Sequence, residues 1–239
     1  MTCIVGLVDG GIVTIGGDSA GIAGHITQQR ADPKVFASGP YVIGYTSSFR
    51  MGQILRYGFE PPLPPKDASD LHGFMCTVFV DAVREALKAA GWATKDSEQE
   101  AGGCFLVGVA GQLFEIQSDY QVGQLADGYT AVGCGEQFAL GALHATETSD
   151  AHRLTRVTAA LKAATHFSTG VRPPFTIVST PTDGESDGAM MAAPEPPPYD
   201  PSSITTTNTS GGAVTVTIDG NKLYEVVQQS HEMRRQRGW

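Results

Sequence analysis

Thr2-Cys-Ile-Val-Gly-Leu-Val-Asp9-Gly-Gly-Ile12-Val-Thr-Ile-Gly-Gly-Asp18-Ser-Ala20 decides how this chain is read. Cys3–Val8 is an apolar run rich in β-branched residues, and Ile12–Ile15 is a second one. Asp9-Gly10-Gly11 between them is a hairpin turn signal, so the two runs are read as paired antiparallel strands. Lys34–Ala37 and Tyr41–Tyr45 form a second such pair around Ser38-Gly39-Pro40. Short turns make both pairs antiparallel.

Further along, the apolar spacing changes from two to three and four. Phe49–Tyr57 reads as a short helix ended by Gly58 and the proline run Pro61–Pro65. Leu71, Phe74, Met75, Val78, Phe79, Ala82, Val83, Ala86, Leu87 and Ala90 then form one apolar stripe, the mark of an amphipathic helix. Asp67 or Ser69 could cap it and Gly91 could stop it. Trp92–Gly102 reads as a polar loop. Cys104–Val109, Gln112–Ile116 and Thr130–Val132 read as strands. Glu136–Thr146 and Ala151–Phe167 read as helices, and Phe175–Ser179 as a further strand. Strands, helices, strands, helices, strand is the order expected of an α+β layered domain.

After Thr180 the composition shifts. Residues 181–212 are dominated by Gly, Pro, Ser and Thr, and read as a linker. Residues 213–239 read as an appended strand, Ala213–Ile218, and a C-terminal helix, Lys222–Arg237. The expected organisation is therefore a main domain over 1–180, a linker over 181–212, and an appended strand and helix over 213–239.

Composition removes several classes. With 239 residues, 41% hydrophobic and 17% charged, the chain can bury a core and is not disordered throughout. Its 29 glycines follow no Gly-X-Y period. A net charge of −9 with no basic patch argues against a nucleic-acid partner. No window of about 18 apolar residues suggests a membrane span, and no signal-peptide pattern opens the chain. Cys3, Cys76, Cys104 and Cys134 lack CxxC spacing and read as reduced thiols of a cytoplasmic protein. The scattered histidines show no metal-ligand spacing, and Gly10-Gly11 and Gly16-Gly17 lack the phosphate-loop patterns, so no cofactor or metal is expected.

Chemistry enters at Met1-Thr2. Removal of Met1 would leave Thr2 as the first residue, with a hydroxyl and a free α-amine on adjacent carbons. That amine has a reference pKa of about 7.7–8.0, close to neutral, so one residue can supply both nucleophile and general base. Taken alone, a Met-Thr start is a weak signal. The surroundings strengthen it. The opening segment, together with Asp32-Pro-Lys34-Val-Phe and Tyr41-Val-Ile-Gly-Tyr-Thr-Ser-Ser48, resembles the start of mature proteasome β subunits and of the related bacterial ring protease subunit. Counted from Thr2, Asp18 lies 16 residues on, Lys34 32 on and Ser48 46 on, without a gap. These are the family's offsets for its catalytic Asp, catalytic Lys and oxyanion glycine. Ala131-Val-Gly-Cys134-Gly resembles the family's later strand-to-helix turn, with Cys134 where a serine is usual. Ala163-Ala-Thr165-His-Phe-Ser168-Thr-Gly resembles the end of its last helix, with Ser168 retained and Thr165 in place of the usual Asp. The likeness runs over about residues 2–180, strongest in the first 48.

The resemblance implies a four-layer αββα sandwich of the N-terminal-nucleophile (Ntn) hydrolase type. It implies a threonine-type endopeptidase with Thr2, Asp18, Lys34, Ser48, Cys134 and Ser168 in the site. It also implies polypeptide substrates, a homo-oligomeric ring, an ATPase unfoldase as partner, and maturation by methionine removal. Bland readings stand beside these. Asp18 can end a strand in an Asx turn, Lys34 can be a surface strand lysine, and Cys134 can be a small buried core residue. Reading Cys3 as the nucleophile shifts all three offsets by one. The positions flanking a substrate side chain, Ile22, Thr46 and Ser48, are too generic to give specificity. Two other functions use the same pattern: an amidase or acylase of small amides, and a catalytically silent ring or scaffold protein.

Overall fold

The computed structural model describes residues 1–67, 70–92, 94–96, 99–181, 205–208 and 214–218. The opening hairpin forms as expected. Strand β1 (Cys3–Asp9) pairs antiparallel with β2 (Ile12–Gly17), Asp9 facing Ile12. Gly10 and Gly11 both have positive φ, +57° and +77°, which a two-residue turn of this hand demands. Ser19 starts a small second hairpin, β3 (Ala20–Ala23) and β4 (Ile26–Gln29). Strands β5 (Val35–Ser38) and β6 (Tyr41–Tyr45) follow, then helix α1 (Phe49–Tyr57).

The long apolar stripe is helical but not uniform. It comprises α2 (Leu71–Phe74), a π-helical turn (Met75–Phe79) and α3 (Val80–Ala89). Its N-cap is Asp70, whose carboxylate accepts the Gly73 N–H at 3.1 Å; Asp67 does not fill that place. Gly91, at φ +69°, ends it as expected. The segment expected to be a polar loop instead carries two short paired strands, β7 (Thr94–Asp96) and β8 (Gln99–Ala101). Then come β9 (Phe105–Val109), β10 (Gln112–Ile116), β11 (Val122–Gln124) and β12 (Tyr129–Gly133). Helices α4 (Glu136–Ala145) and α5 (Arg153–Phe167) precede β13 (Phe175–Ser179).

Two sheets result. One has the order β12-β1-β2-β13 and the other β11-β10-β9-β6-β5. Strands β15 (Val214–Ile218) and β14 (Thr205–Asn208) extend the first sheet beyond β13. A strand thus forms at Val214–Ile218, within the expected Ala213–Ile218, and joins the first sheet. The expected C-terminal helix and most of the linker lie outside the described residues.

The strand period of two sorts side chains between layers. Ile4, Val13, Ile15, Val35, Val42, Leu106 and Val178 fill the space between the sheets. Their neighbours Cys3, Val5, Leu7 and Ile177 face α4 and α5 with Val157, Leu161 and Ala164. Tyr41, Ile43, Phe105, Val107 and Phe114 face the other way, against Met51, Leu55, Met75, Phe79, Val83 and Leu87 of the first helices. The architecture is thus helices, sheet, sheet, helices, the expected four-layer αββα sandwich. No helix among the described residues is long and apolar enough to cross a membrane.

Candidate active site

Thr2 lies at the start of β1, between the two β1 neighbours β2 and β12. Asp18 follows β2 and Lys34 precedes β5, so both fall at the same end of the stacked sheets. All three side chains are withdrawn from water: Thr2 is 5% exposed, Asp18 2% and Lys34 1%. Lys34 Nζ donates to Thr2 Oγ1 at 2.5 Å and to Asp18 Oδ1 at 2.8 Å.

Asp18 is fixed by the backbone around it. Its Oδ1 also accepts the Cys3 N–H (3.1 Å), and its Oδ2 accepts the N–H groups of Ala20 (2.9 Å) and Arg172 (3.3 Å). Four donors thus converge on this buried side chain and fix it against Lys34. Burial pulls the pKa of Lys34 below its ordinary value, while attraction to Asp18 and their hydrogen bond oppose that shift. The reading of Lys34 as a surface lysine is thereby excluded.

A second group of side chains closes on the other side of Thr2. The Thr2 N–H donates to Cys134 Sγ at 3.3 Å, and Cys134 S–H donates back to the Thr2 carbonyl at 3.3 Å. Cys134 Sγ lies 3.5 Å from Ser168 Oγ, which accepts the Gly170 N–H at 3.2 Å. Cys134 is exposed, so it is not the small core residue that its apolar, glycine-rich turn suggests. Gly133 makes this approach possible: its φ is +102°, and a Cβ there would collide with the Thr2 carbonyl. The Met1 side chain lies over Gly170, where a Cβ would meet it. Thr165 Oγ1 is buried and has no hydrogen-bond partner among the described residues.

Ser48 sits at the rim. It is the N-cap of α1, its Oγ accepting the Arg50 N–H at 3.0 Å. Its own N–H donates to the Thr46 carbonyl at 2.8 Å, across Ser47 in the left-handed region at φ +66°. Ser47 Oγ accepts the Cys104 N–H at 3.0 Å, which ties this turn to the neighbouring strand. The rival nucleophile Cys3 is fully buried, and burial, then the Asp18 carboxylate, drives its thiol pKa far up. It therefore stays a protonated core thiol. His166 is exposed and packs edge-on against Phe167. No group of three or more His, Cys, Asp or Glu side chains among the described residues is arranged to hold a metal. Sequence reasoning missed Arg172, because it reaches Asp18 through its main-chain N–H, which leaves no mark in residue type.

No protein-family profile matches the chain, and no curated protein matches its sequence. Solved structures match its fold. BPH from Thiobacillus denitrificans is 17% identical with a TM-score of 0.61, the match covering 74% of this chain and 97% of that one. A second structure of that protein is a complex with epoxomicin. Eukaryotic HslV from Trypanosoma brucei is 19% identical, TM-score 0.53, covering 74% of this chain and 98% of its own. An Anbu variant from Hyphomicrobium sp. strain MC1 is 16% identical, TM-score 0.53, covering 75% and 81%. The chain has the fold of the proteasome-like Ntn hydrolases.

Proposed function

We propose that this protein is a threonine-type endopeptidase that acts through Thr2 once Met1 has been removed. The observation that carries the reading is the buried line Asp18–Lys34–Thr2, with Lys34 Nζ 2.5 Å from the Thr2 hydroxyl oxygen. A lysine there stabilises an alkoxide at Oγ and disfavours a protonated amine beside it.

The steps follow from the residue types. Thr2 Oγ attacks a peptide carbonyl carbon while the freed Thr2 amine, directly or through one water, takes the hydroxyl proton. The Ser48 N–H turns from the Thr46 carbonyl to the developing oxyanion; loss of one such donor typically costs about 3–4 kcal/mol. The C–N bond breaks, the leaving amine receives the proton from the Thr2 ammonium, and an ester acyl-enzyme remains. Water, deprotonated by the Thr2 amine, then releases the acid. Cys134 and Ser168 orient the amine by hydrogen bonds, in positions where the resembling family carries serines. The same reading includes polypeptide substrates, a homo-oligomeric ring enclosing the sites, and an ATPase unfoldase that feeds it.

Intact-protein mass spectrometry tests this. The purified protein should lack Met1 and gain one adduct from an electrophilic β-lactone, or from epoxomicin, the compound bound to the Thiobacillus protein. Thr2→Ala should gain none. Retention of Met1 on the native protein would sink the mechanism, because the Thr2 nitrogen would then be an amide and no base.

A further inference from the structure

A cleft of about 260 Å³ between the β3–β4 hairpin and the start of α1 adjoins the buried Lys34 through one ring, and none of the steps above uses it. Phe49 connects the two: its ring forms one wall of the cleft and its centroid lies 5.6 Å from Lys34 Nζ. Ile22, Ala23 and Ile26 of the β3–β4 hairpin supply the remaining apolar wall. Gln28 and Arg30 supply its polar groups.

Arg30 is built into place. Its guanidinium stacks over the Phe49 ring at 4.3 Å. Its side-chain stem crosses Gly21, where a Cβ would come within 2.9 Å of Arg30 Cγ. Its Nε and Nη2 both donate to Asp32, each at 2.7 Å. Asp32 does not line the cleft whereas Arg30 does, so the carboxylate braces the guanidinium from outside. A guanidinium has five N–H donors, and the bidentate contact to Asp32 engages one edge. Donors on the other edge remain for a ligand in the cleft, and the Gln28 amide adds another.

We infer that this cleft selects glutamate on the N-terminal side of the scissile bond, its methylenes against Ile22, Ile26 and Phe49 and its carboxylate on Arg30 and Gln28. The inference rests on the proposed acyl-transfer reaction for its orientation. The residue N-terminal to the cleaved bond becomes esterified to Thr2, so its side chain is the one that lies nearest the nucleophile. A lysine side chain in the cleft would find no carboxylate among the lining residues and would lie against the Arg30 guanidinium, which disfavours it. The net charge of −9 acts oppositely, drawing cationic peptides to the protein as a whole. A preference for glutamate must therefore come from the cleft.

The test uses the full chain with Thr2→Ala, which binds peptide without turnover. Three acetylated, amide-capped peptides differing only in a last residue of Glu, Leu or Lys are titrated calorimetrically. Glu should bind roughly tenfold tighter than Leu or Lys, the scale of one charge-assisted contact. Arg30→Gln should erase that margin and Arg30→Glu should reverse the order of Glu and Lys. Equal affinities, a preference for Leu or Lys, or a Glu preference that survives Arg30→Gln would overturn the inference. The three-peptide comparison needs no change at Arg30, so it decides even if those variants fold poorly. Lactone labelling of the unaltered protein reports on Thr2 separately. Labelling without glutamate selection sinks only the cleft, and glutamate selection without labelling sinks only the nucleophile.

Discussion

Replacing Lys34 by methionine should unmake the site and weaken the fold together, and the two effects can be separated. The Lys34 and Asp18 side chains are 1% and 0% exposed. Removing one partner of a buried ion pair typically costs about 3–5 kcal/mol, because the other charge is left uncompensated. Asp18 keeps three backbone N–H donors after Lys34→Met, so the loss should lie at the low end, about 3 kcal/mol. Asp18→Asn should cost more, about 4–5 kcal/mol. It strips Lys34 of its anion and, with only one acceptor oxygen left, sets an amide NH₂ against backbone N–H donors. The double variant has neither charge. Its cost should fall short of the sum by about 2 kcal/mol, within the range of coupled contacting pairs. Urea unfolding of the four proteins measures this cycle. Lactone labelling of the folded variants should slow by roughly 10²–10⁴ at Lys34→Met, as when proton-transfer chemistry loses its support. A cost below about 1 kcal/mol for Lys34→Met, the value of an exposed pair, would refute the reasoning. So would additivity within about 0.5 kcal/mol.

Three further outcomes follow from single positions. Cys134→Ser should keep lactone labelling, since a hydroxyl can make the same contacts to Thr2 and Ser168, whereas Cys134→Val should slow it about tenfold, the loss of one modest hydrogen bond. Gly133→Ala should lower stability by at least about 1–2 kcal/mol, and abolish labelling, because neither φ +102° nor the contact with the Thr2 carbonyl accommodates a Cβ; an unchanged melting temperature counts against the described turn. Cys3 should make the fold sensitive to alkali. Its folded pKa is raised by burial, so the folded state keeps a proton that the unfolded thiol releases above about pH 8.5. Stability is then lost as pH rises, and relative to Cys3→Ala the loss should approach about 1.4 kcal/mol per pH unit above that point; parallel pH profiles for the two proteins would be the contrary result.

Much of the fold was legible because it is written in local pattern. The β1–β2 hairpin announces itself in Asp9-Gly10-Gly11, and the helix pair before β9 in a stripe spaced by threes and fours. The misses have physical causes. The β3–β4 hairpin has a single isoleucine in each strand, Ile22 and Ile26, among Ala, Gly, Gln and Thr, with an exposed β4, and so carries no apolar alternation. Strands β7 and β8 read as a loop because Lys95, Asp96, Gln99 and Glu100 have low strand propensity, and pairing overrode it. The π-helical turn at Met75–Phe79 keeps nearly the apolar spacing of an α-helix, so the stripe could not reveal it. The cap is Asp70 because its carboxylate reaches the Gly73 N–H of the first turn.

By itself the sequence determined the order of strands and helices, enough for an α+β layered domain, and the offsets of Asp18 and Lys34 from Thr2. Both are properties of residue type and spacing along the chain, which periodicity and turn chemistry encode locally. Only the tertiary structure decided what meets at Thr2. It placed Cys134 against a backbone 132 residues away and brought the Arg172 N–H to Asp18 from 154 residues on. It also laid Arg30 across Gly21 into the cleft, a placement hidden in the sequence. Such contacts depend on how sheets stack and strands register, and main-chain donors leave no mark in residue identity. The residue types of the proposed site were therefore readable one at a time, while the shape of the cleft that the proposal uses exists only where the β3–β4 hairpin and the start of α1 meet.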